Sequence, residues 1–110
     1  MEIEEGISGG VKVAATKGRL DAATAAALDE KLLPLLQGGG KLVADLSGVN
    51  YISSAGLRAV LRAVRAAQAG GCALAIAAPD GMVREVLEFS GFGRLIPIRD
   101  TVEEAAAALG

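Results

Sequence analysis

Short apolar runs alternate along this chain with segments of helical hydrophobic period, and glycine pairs or triplets punctuate several of the junctions. KLVADL at 41–46 and CALAIAA at 72–78 are too short for helices and read as buried strands. Between them, from about Ala55 to Ala69, Leu57, Val60, Leu61 and Val64 recur on one helical face. Arg58, Arg62 and Arg65 share the other side. A buried strand, a helix and another buried strand in succession call for parallel neighbours joined by right-handed crossovers.

The remaining punctuation extends the pattern in both directions. Residues 2–5 and VKVAAT at 11–16 read as strands, and Gly9–Gly10 between them predicts a hairpin. Asp21 is placed at the start of a helix running to Leu36, with Ala25, Leu28, Leu32 and Leu36 on its buried face. Pro34 is expected to kink that helix or to end its regular part near Leu33. SGVNYIS at 47–53 reads as a loop, and Pro79–Asp80 as the start of a third helix stopped by Ser90–Gly91. Leu95 to Ile98 is read as a last strand, and Thr101 with Glu104 as a capping box on a final helix. The expected order is β-β-α-β-α-β-α-β-α, an α/β fold with a mixed, mostly parallel sheet and helices packed on it. One domain over residues 1–110 is expected at this length.

Composition narrows the function. The chain is 52% apolar and 22% charged, enough to bury a core and well mixed in charge. A net charge of −2 and three aromatic residues (Tyr51, Phe89 and Phe92) lack the basic footprint and stacking platform of a nucleic-acid binder. With no His and one Cys, neither a Ser-His-Asp triad nor a transition-metal site is expected. Cys72 alone suits a reducing, cytoplasmic setting. MEIEEGISGG lacks the features of a signal peptide, and no apolar stretch reaches membrane-span length. Dinucleotide and P-loop glycine motifs are missing, and the glycines at 38–40 and 70–71 follow helices, where they act as stops. No catalytic residue and no cofactor are expected.

The informative segment is DLSGVNYISSAGLR at 45–58. It delivers Ser53 and Ser54 to the start of a helix whose first turn contains Gly56. Free amides at a helix N-terminus favour an anion, including a phosphate carried by the chain itself. Equally, either serine can serve as the N-cap, and one can cap while the other is modified.

YISSAGLR resembles the signature of STAS-domain proteins of the anti-sigma-factor antagonist type. Three further stretches agree in order: GRLDAATAAAL at 18–28, KLVADLSGVNYI at 41–52 and PDGMVREVLEFSGFGRLIPI at 79–98. The resemblance implies partner switching. An unphosphorylated antagonist binds an anti-sigma factor that is also an ATP-dependent serine kinase, and phosphorylation by that kinase ends the complex. By position it implies Ser54 as phosphoacceptor and Asp21 as the acidic residue beside it. The contact would centre on Ser53, Ser54, Ala55, Gly56 and Leu57, with Asp21 and Arg58 at its edge. Any ATP and Mg²⁺ would be bound by the kinase, a phosphatase would reset the switch, and the chain would be a monomer or weak dimer without membrane insertion. The family often has Asp where this chain has Ser53, a competing acceptor, and Ser or Thr where it has Ala55. Those departures feed an alternative, a non-phosphorylated accessory STAS subunit docking to a membrane transporter or lipid-trafficking complex. A small enzyme or ligand sensor using the same helix end is a third possibility.

Overall fold

Chain direction first reverses at Gly9 and Gly10, whose φ angles of 55° and 81° suit the tight turn between twisted antiparallel strands. The computed structural model describes residues 1–110. In it this turn joins β1 (Glu2–Ser8) to β2 (Val11–Leu20), paired from Ser8 with Val11 to Glu2 with Lys17. Then follow α1 (Ala25–Leu36), β3 (Gly40–Ile52), α2 (Ser54–Gly70), β4 (Cys72–Ala77) and α3 (Met82–Phe89). A 3-10 turn at Phe92–Arg94, β5 (Ile98–Arg99) and α4 (Val102–Leu109) complete the chain. The sheet order is β1-β2-β3-β4-β5, with β1 antiparallel and the other three pairings parallel. It is the mixed, mostly parallel sheet expected from the sequence.

The two faces of the sheet are covered unequally. Leu28, Leu32 and Leu36 of α1, Val60 and Val64 of α2, and Val83 and Leu87 of α3 pack with Leu42, Leu74 and Ile76 in the larger core. On the opposite face only α4 lies down, bringing Ala105 and Ala106 against Val13, Val43, Ala75 and Ala77. Small side chains there let one short helix cover the strands closely.

Several boundaries differ from the sequence reading, each for a local reason. Residues 47–52 are strand rather than loop: Gly48, Val49, Tyr51 and Ile52 pair with Lys17, Gly18, Arg19 and Leu20. Register shifts between Ala15 and Lys17 and between Gly18 and Arg19 break the period-two pattern that would have marked the extension. Helix α1 begins at Ala25, four residues beyond Asp21, because residues 21–24 form a hydrogen-bonded turn. Pro34 neither ends nor shortens that helix, which continues to Leu36. Pro34 and Glu30, whose carbonyl loses its amide donor, both lie on the exposed face, where water can substitute.

The third helix starts at Met82 behind Gly81 rather than at Pro79, since Gly81 takes a φ of 146° that helix does not allow. The final strand is only Ile98–Arg99, because the Leu95 and Ile96 amides turn back to the Phe92 carbonyl and do not pair with β4. Thr101 does cap α4, its Oγ1 accepting from the Glu104 amide at 3.1 Å. Arg84 ties this end together: its guanidinium donates to the Ala78 and Ile98 carbonyls and pairs with Glu88 and Asp100. Hydrogen bonding to Glu88 is the main reason its pKa is raised further, so it stays charged throughout.

Candidate partner-binding and modification site

The end of β3 hands the chain to α2 through a single residue, Ser53. Its backbone is extended, with φ −98° and ψ 177°, and its amide donates to the Leu20 carbonyl at 2.9 Å. Its Oγ accepts from the Gly56 amide at 3.2 Å, and its carbonyl accepts from Leu57. Ser53 is therefore the N-cap, with hydroxyl and backbone both engaged. Ser54 is the first helical residue, exposed, and takes no part in the cap. The structure thus gives the cap to Ser53 and leaves the Ser54 hydroxyl outside it.

Close approach of two backbones sets the position of this turn. A Cβ on Gly56 would stand 2.4 Å from the Leu20 carbonyl oxygen and 2.9 Å from Leu20 Cγ, inside any permissible contact. Only glycine lets α2 begin so near the end of β2. Asp21 follows Leu20 directly, so the sheet and this contact bring it beside the serine pair. Ala55 and Leu57 are half-buried, whereas Arg58 is exposed one turn after Ser54. All seven residues singled out from the sequence fall at one end of the sheet, six of them consecutive.

Asp21 does not itself open the helix, as the sequence reading placed it. It organises the turn that leads into α1. Its Oδ1 accepts from the Ala23 and Thr24 amides at 3.0 and 3.2 Å, and Oδ2 pairs with Arg19 Nε at 3.4 Å. Partial desolvation pushes its carboxyl up. The bonds from Arg19, the Ala23 and Thr24 amides and the Thr24 hydroxyl outweigh that and hold it below the ordinary value of 3.8. A carboxylate with a depressed native pKa contributes stability above its unfolded value and loses it as pH falls through the native one. The melting-temperature gap between wild type and Asp21→Asn should hold steady from neutral pH down to about 5 and close below about 3.8. A gap that persists at the acid end would show that the charge is not what Asp21 supplies.

Arg19, Thr24 and Tyr51 complete the surroundings and were missed in the sequence reading. The Arg19 guanidinium lies 4.2 Å from the centroid of Tyr51, its neighbour across the β2–β3 pairing. Thr24 Oγ1 donates to the Arg19 carbonyl at 2.7 Å and accepts from the Asp21 amide at 3.0 Å. An Asp-x-x-Thr turn signal was available in DAAT, but the Arg19–Tyr51 stack depended on the unanticipated length of β3.

The basic stripe on α2 lies away from the core, with Arg58, Arg62 and Arg65 all exposed, and Arg62 pairs with Asp29 of α1 at 2.9 Å. The expected apolar stripe is buried in part. Gly56, Ala59, Val60, Ala63, Val64 and Ala67 face the core, and Leu57 and Leu61 are only half-buried. Tight packing against α1 and the sheet selects the small residues, and the two leucines pack at the edge of the core. There they line a groove of about 230 Å³ with Arg58, Ser90, Phe92 and Leu95.

No group of His, Cys, Asp and Glu side chains converges as a metal site would require, and no helix is long and apolar enough to cross a membrane. Cys72, the only thiol, is buried; desolvation pushes its pKa up, against a smaller opposing effect of Lys12.

The chain is 36% identical over 100 residues to BtrV of Bordetella bronchiseptica, described as an anti-sigma factor antagonist, covering 90% of this chain and 86% of that protein. Its fold matches the crystal structure of an anti-sigma factor antagonist from Mycobacterium paratuberculosis with a TM-score of 0.87 at 23% identity, over 98% and 92% of the two chains. It also matches the Bacillus cell fate determinant SpoIIAA in its phosphorylated form, with a TM-score of 0.69 at 19% identity, over 99% and 100%. The STAS domain model matches residues 2–105. On that match, and on the relationship to BtrV, the chain belongs to the STAS domain family.

Proposed function

We propose that this protein is an anti-sigma-factor antagonist: unphosphorylated, it binds an anti-sigma factor that is also a serine kinase, and phosphorylation of Ser54 releases it. The observation that carries the reading is the division of labour between the serines. Ser53 is held as the helix cap, while Ser54 presents its hydroxyl on the exposed first turn. The antagonist description of BtrV supports the role, as does the existence of a phosphorylated form of SpoIIAA, a protein of the same fold.

In this reading the chain is a non-catalytic, cytoplasmic substrate and needs no cofactor of its own. The kinase supplies ATP and Mg²⁺. Ser54 Oγ attacks the γ-phosphorus, the bond to the β-phosphate oxygen breaks to release ADP, and the seryl proton leaves to a base on the kinase. A phosphatase removing the phosphoryl group to water would restore the first state.

The consequence for binding is electrostatic. The phosphate adds about −1.5 to −2 charges. In a close contact beside Asp21, facing a partner that holds ATP, like charges cost several kcal/mol. The helix amides meanwhile favour the anion, so release requires no unfolding of the antagonist.

A pull-down from ATP-depleted source-cell lysate with ADP and Mg²⁺, so that no phosphate is transferred to the bait, tests this, using wild type, Ser54→Ala and Ser54→Asp as baits. A serine kinase identified with the first two and lost from the third supports the switch. If all three retain the same membrane-transporter or lipid-trafficking components, or none retains a kinase, the domain is a constitutive docking module and the proposal fails.

A further inference from the structure

Arg58 is exposed and belongs to none of the four ion pairs of the molecule. Its own helix offers it no carboxylate: the positions one turn away are Ser54 and Ala55 before it, Leu61 and Arg62 after it. The first turn of α2 carries no acidic side chain either. Two carboxylates of neighbouring elements are already engaged. Asp29 holds Arg62, and Asp21, beside the serine pair, holds Arg19 and the Ala23 and Thr24 amides. The residues that line the groove with Arg58 are uncharged.

What stands four positions back from this unpaired cation is Ser54. On an α-helix that spacing puts two side chains on one face, about 5–6 Å apart at their Cβ atoms. An arginine spans that gap, and its planar fork of donors matches the oxygens of a phosphate. The order is the favourable one, with the anion nearer the helix N-terminus and the cation nearer the C-terminus. Ser54 is the first helical residue and exposed, so a phosphate on its Oγ would stand where Arg58 can meet it. Arg65, the other arginine of α2 outside any ion pair, lies about three turns from Ser54 and cannot.

We infer that Arg58 clasps the phosphate carried by Ser54, so that phosphorylation both adds an anion to the partner-binding face and takes a cation away from it. This rests on the reading of Ser54 as phosphoacceptor with Arg58 at the edge of the contact, and adds how the released state is held. Before phosphorylation the guanidinium is free to meet acidic groups of the kinase. Afterwards it is bound within the chain. One positive charge offsets only part of the phosphate's charge of about −1.5 to −2. The repulsion that drives release therefore persists, while an attraction that opposed it is withdrawn. One side chain changes partner, and nothing unfolds.

The test is a ³¹P NMR pH titration of the full chain made with phosphoserine at position 54, comparing wild type, Arg58→Lys, Arg58→Ala and Arg65→Ala. The other charged groups at this end of the sheet, Asp21 and Arg19, are the same throughout the series. The second phosphate pKa in wild type should lie about 0.5 below that in Arg58→Ala, because the clasp favours the dianion. Arg58→Lys should fall between them, keeping the charge without the fork. Arg65→Ala should match wild type, and the Arg58 Nε–H resonance should move on phosphorylation. A wild-type pKa within about 0.1 of that of Arg58→Ala overturns the clasp. An equal rise in Arg65→Ala also overturns it, by assigning the effect to the general field of the helix. Calorimetry of the unphosphorylated chains with the purified kinase, ADP and Mg²⁺ tests the withdrawn attraction. Arg58→Ala should bind about fivefold more weakly than wild type; equal affinity means that no cation was taken from the contact and overturns the double action. If Ser54→Asp binds the kinase as tightly as wild type, the Ser54 reading falls, whereas the titration needs no kinase and still decides the clasp.

Discussion

Gly56→Ala is expected to cost about 3 kcal/mol of stability, as forced overpacking against backbone does, and to disable the partner site as well. The added Cβ would meet the Leu20 carbonyl oxygen at 2.4 Å. That oxygen belongs to strand backbone and cannot swing aside as a flexible side chain would. Alanine's better helix propensity returns at most about 1 kcal/mol, so the clash wins. Relief requires α2 to lift off β2, stretching the bond from the Ser53 amide to Leu20 and moving both serines.

Gly70→Ala is the matched control for that result. Its Cβ would stand 2.4 Å from the Leu36 carbonyl oxygen, at the opposite end of the same helix. Chemical denaturation should show losses of similar size for the two variants. Kinase affinity, measured well below both unfolding midpoints, should fall steeply for Gly56→Ala and stay near wild type for Gly70→Ala. Equal loss of affinity in both would mean that general destabilisation, not the placement of the first turn, governs binding.

The other large effect is expected from the phosphate itself. Several kcal/mol of like-charge repulsion, at about 1.4 kcal/mol per decade, predicts at least roughly 100-fold weaker binding of the Ser54-phosphorylated chain to the ATP-loaded kinase. Stability should move little, because a helix N-terminus stabilises an anion by about 0.3–1 kcal/mol while nearby Asp21 opposes it. Calorimetric titration of protein made with phosphoserine at position 54 measures both quantities. Affinity within threefold of the unmodified chain would remove electrostatic repulsion as the release mechanism. A large drop in melting temperature would replace it with local unfolding.

The architecture was legible because the signals that specify it are local. Gly9–Gly10, the apolar runs at 41–46 and 72–78, and the periodic segment 55–69 each encode their own conformation. The candidate site was legible to the same degree, since six of its seven residues are consecutive and the seventh lies beside them through one strand pairing. What failed depended on neighbours distant in sequence. The bulges of β2 carry β3 on to Ile52, disguising SGVNYI as a loop. The closeness of α1 and α2 leaves Leu57 and Leu61 at the edge of the core and puts alanines inside it, which hydrophobic ranking alone cannot foresee. The ion pair of Arg62 with Asp29 needs α1 lying beside α2, which the spacing within either helix does not carry. The capping role of Ser53 over Ser54 turned on backbone angles one residue apart.

Site-resolved phosphorylation with the purified partner kinase bears most directly on the central claim. Wild type, Ser53→Ala and Ser54→Ala would each be incubated with the kinase, ATP and Mg²⁺, with phosphate counted by intact mass, located by peptide fragmentation and complex followed by gel filtration. One phosphate on Ser54 in wild type and in Ser53→Ala, none in Ser54→Ala, and dissociation only where phosphate is incorporated is the predicted result. Phosphate on Ser53, or a wild-type complex that persists with Ser54 fully modified, would contradict it.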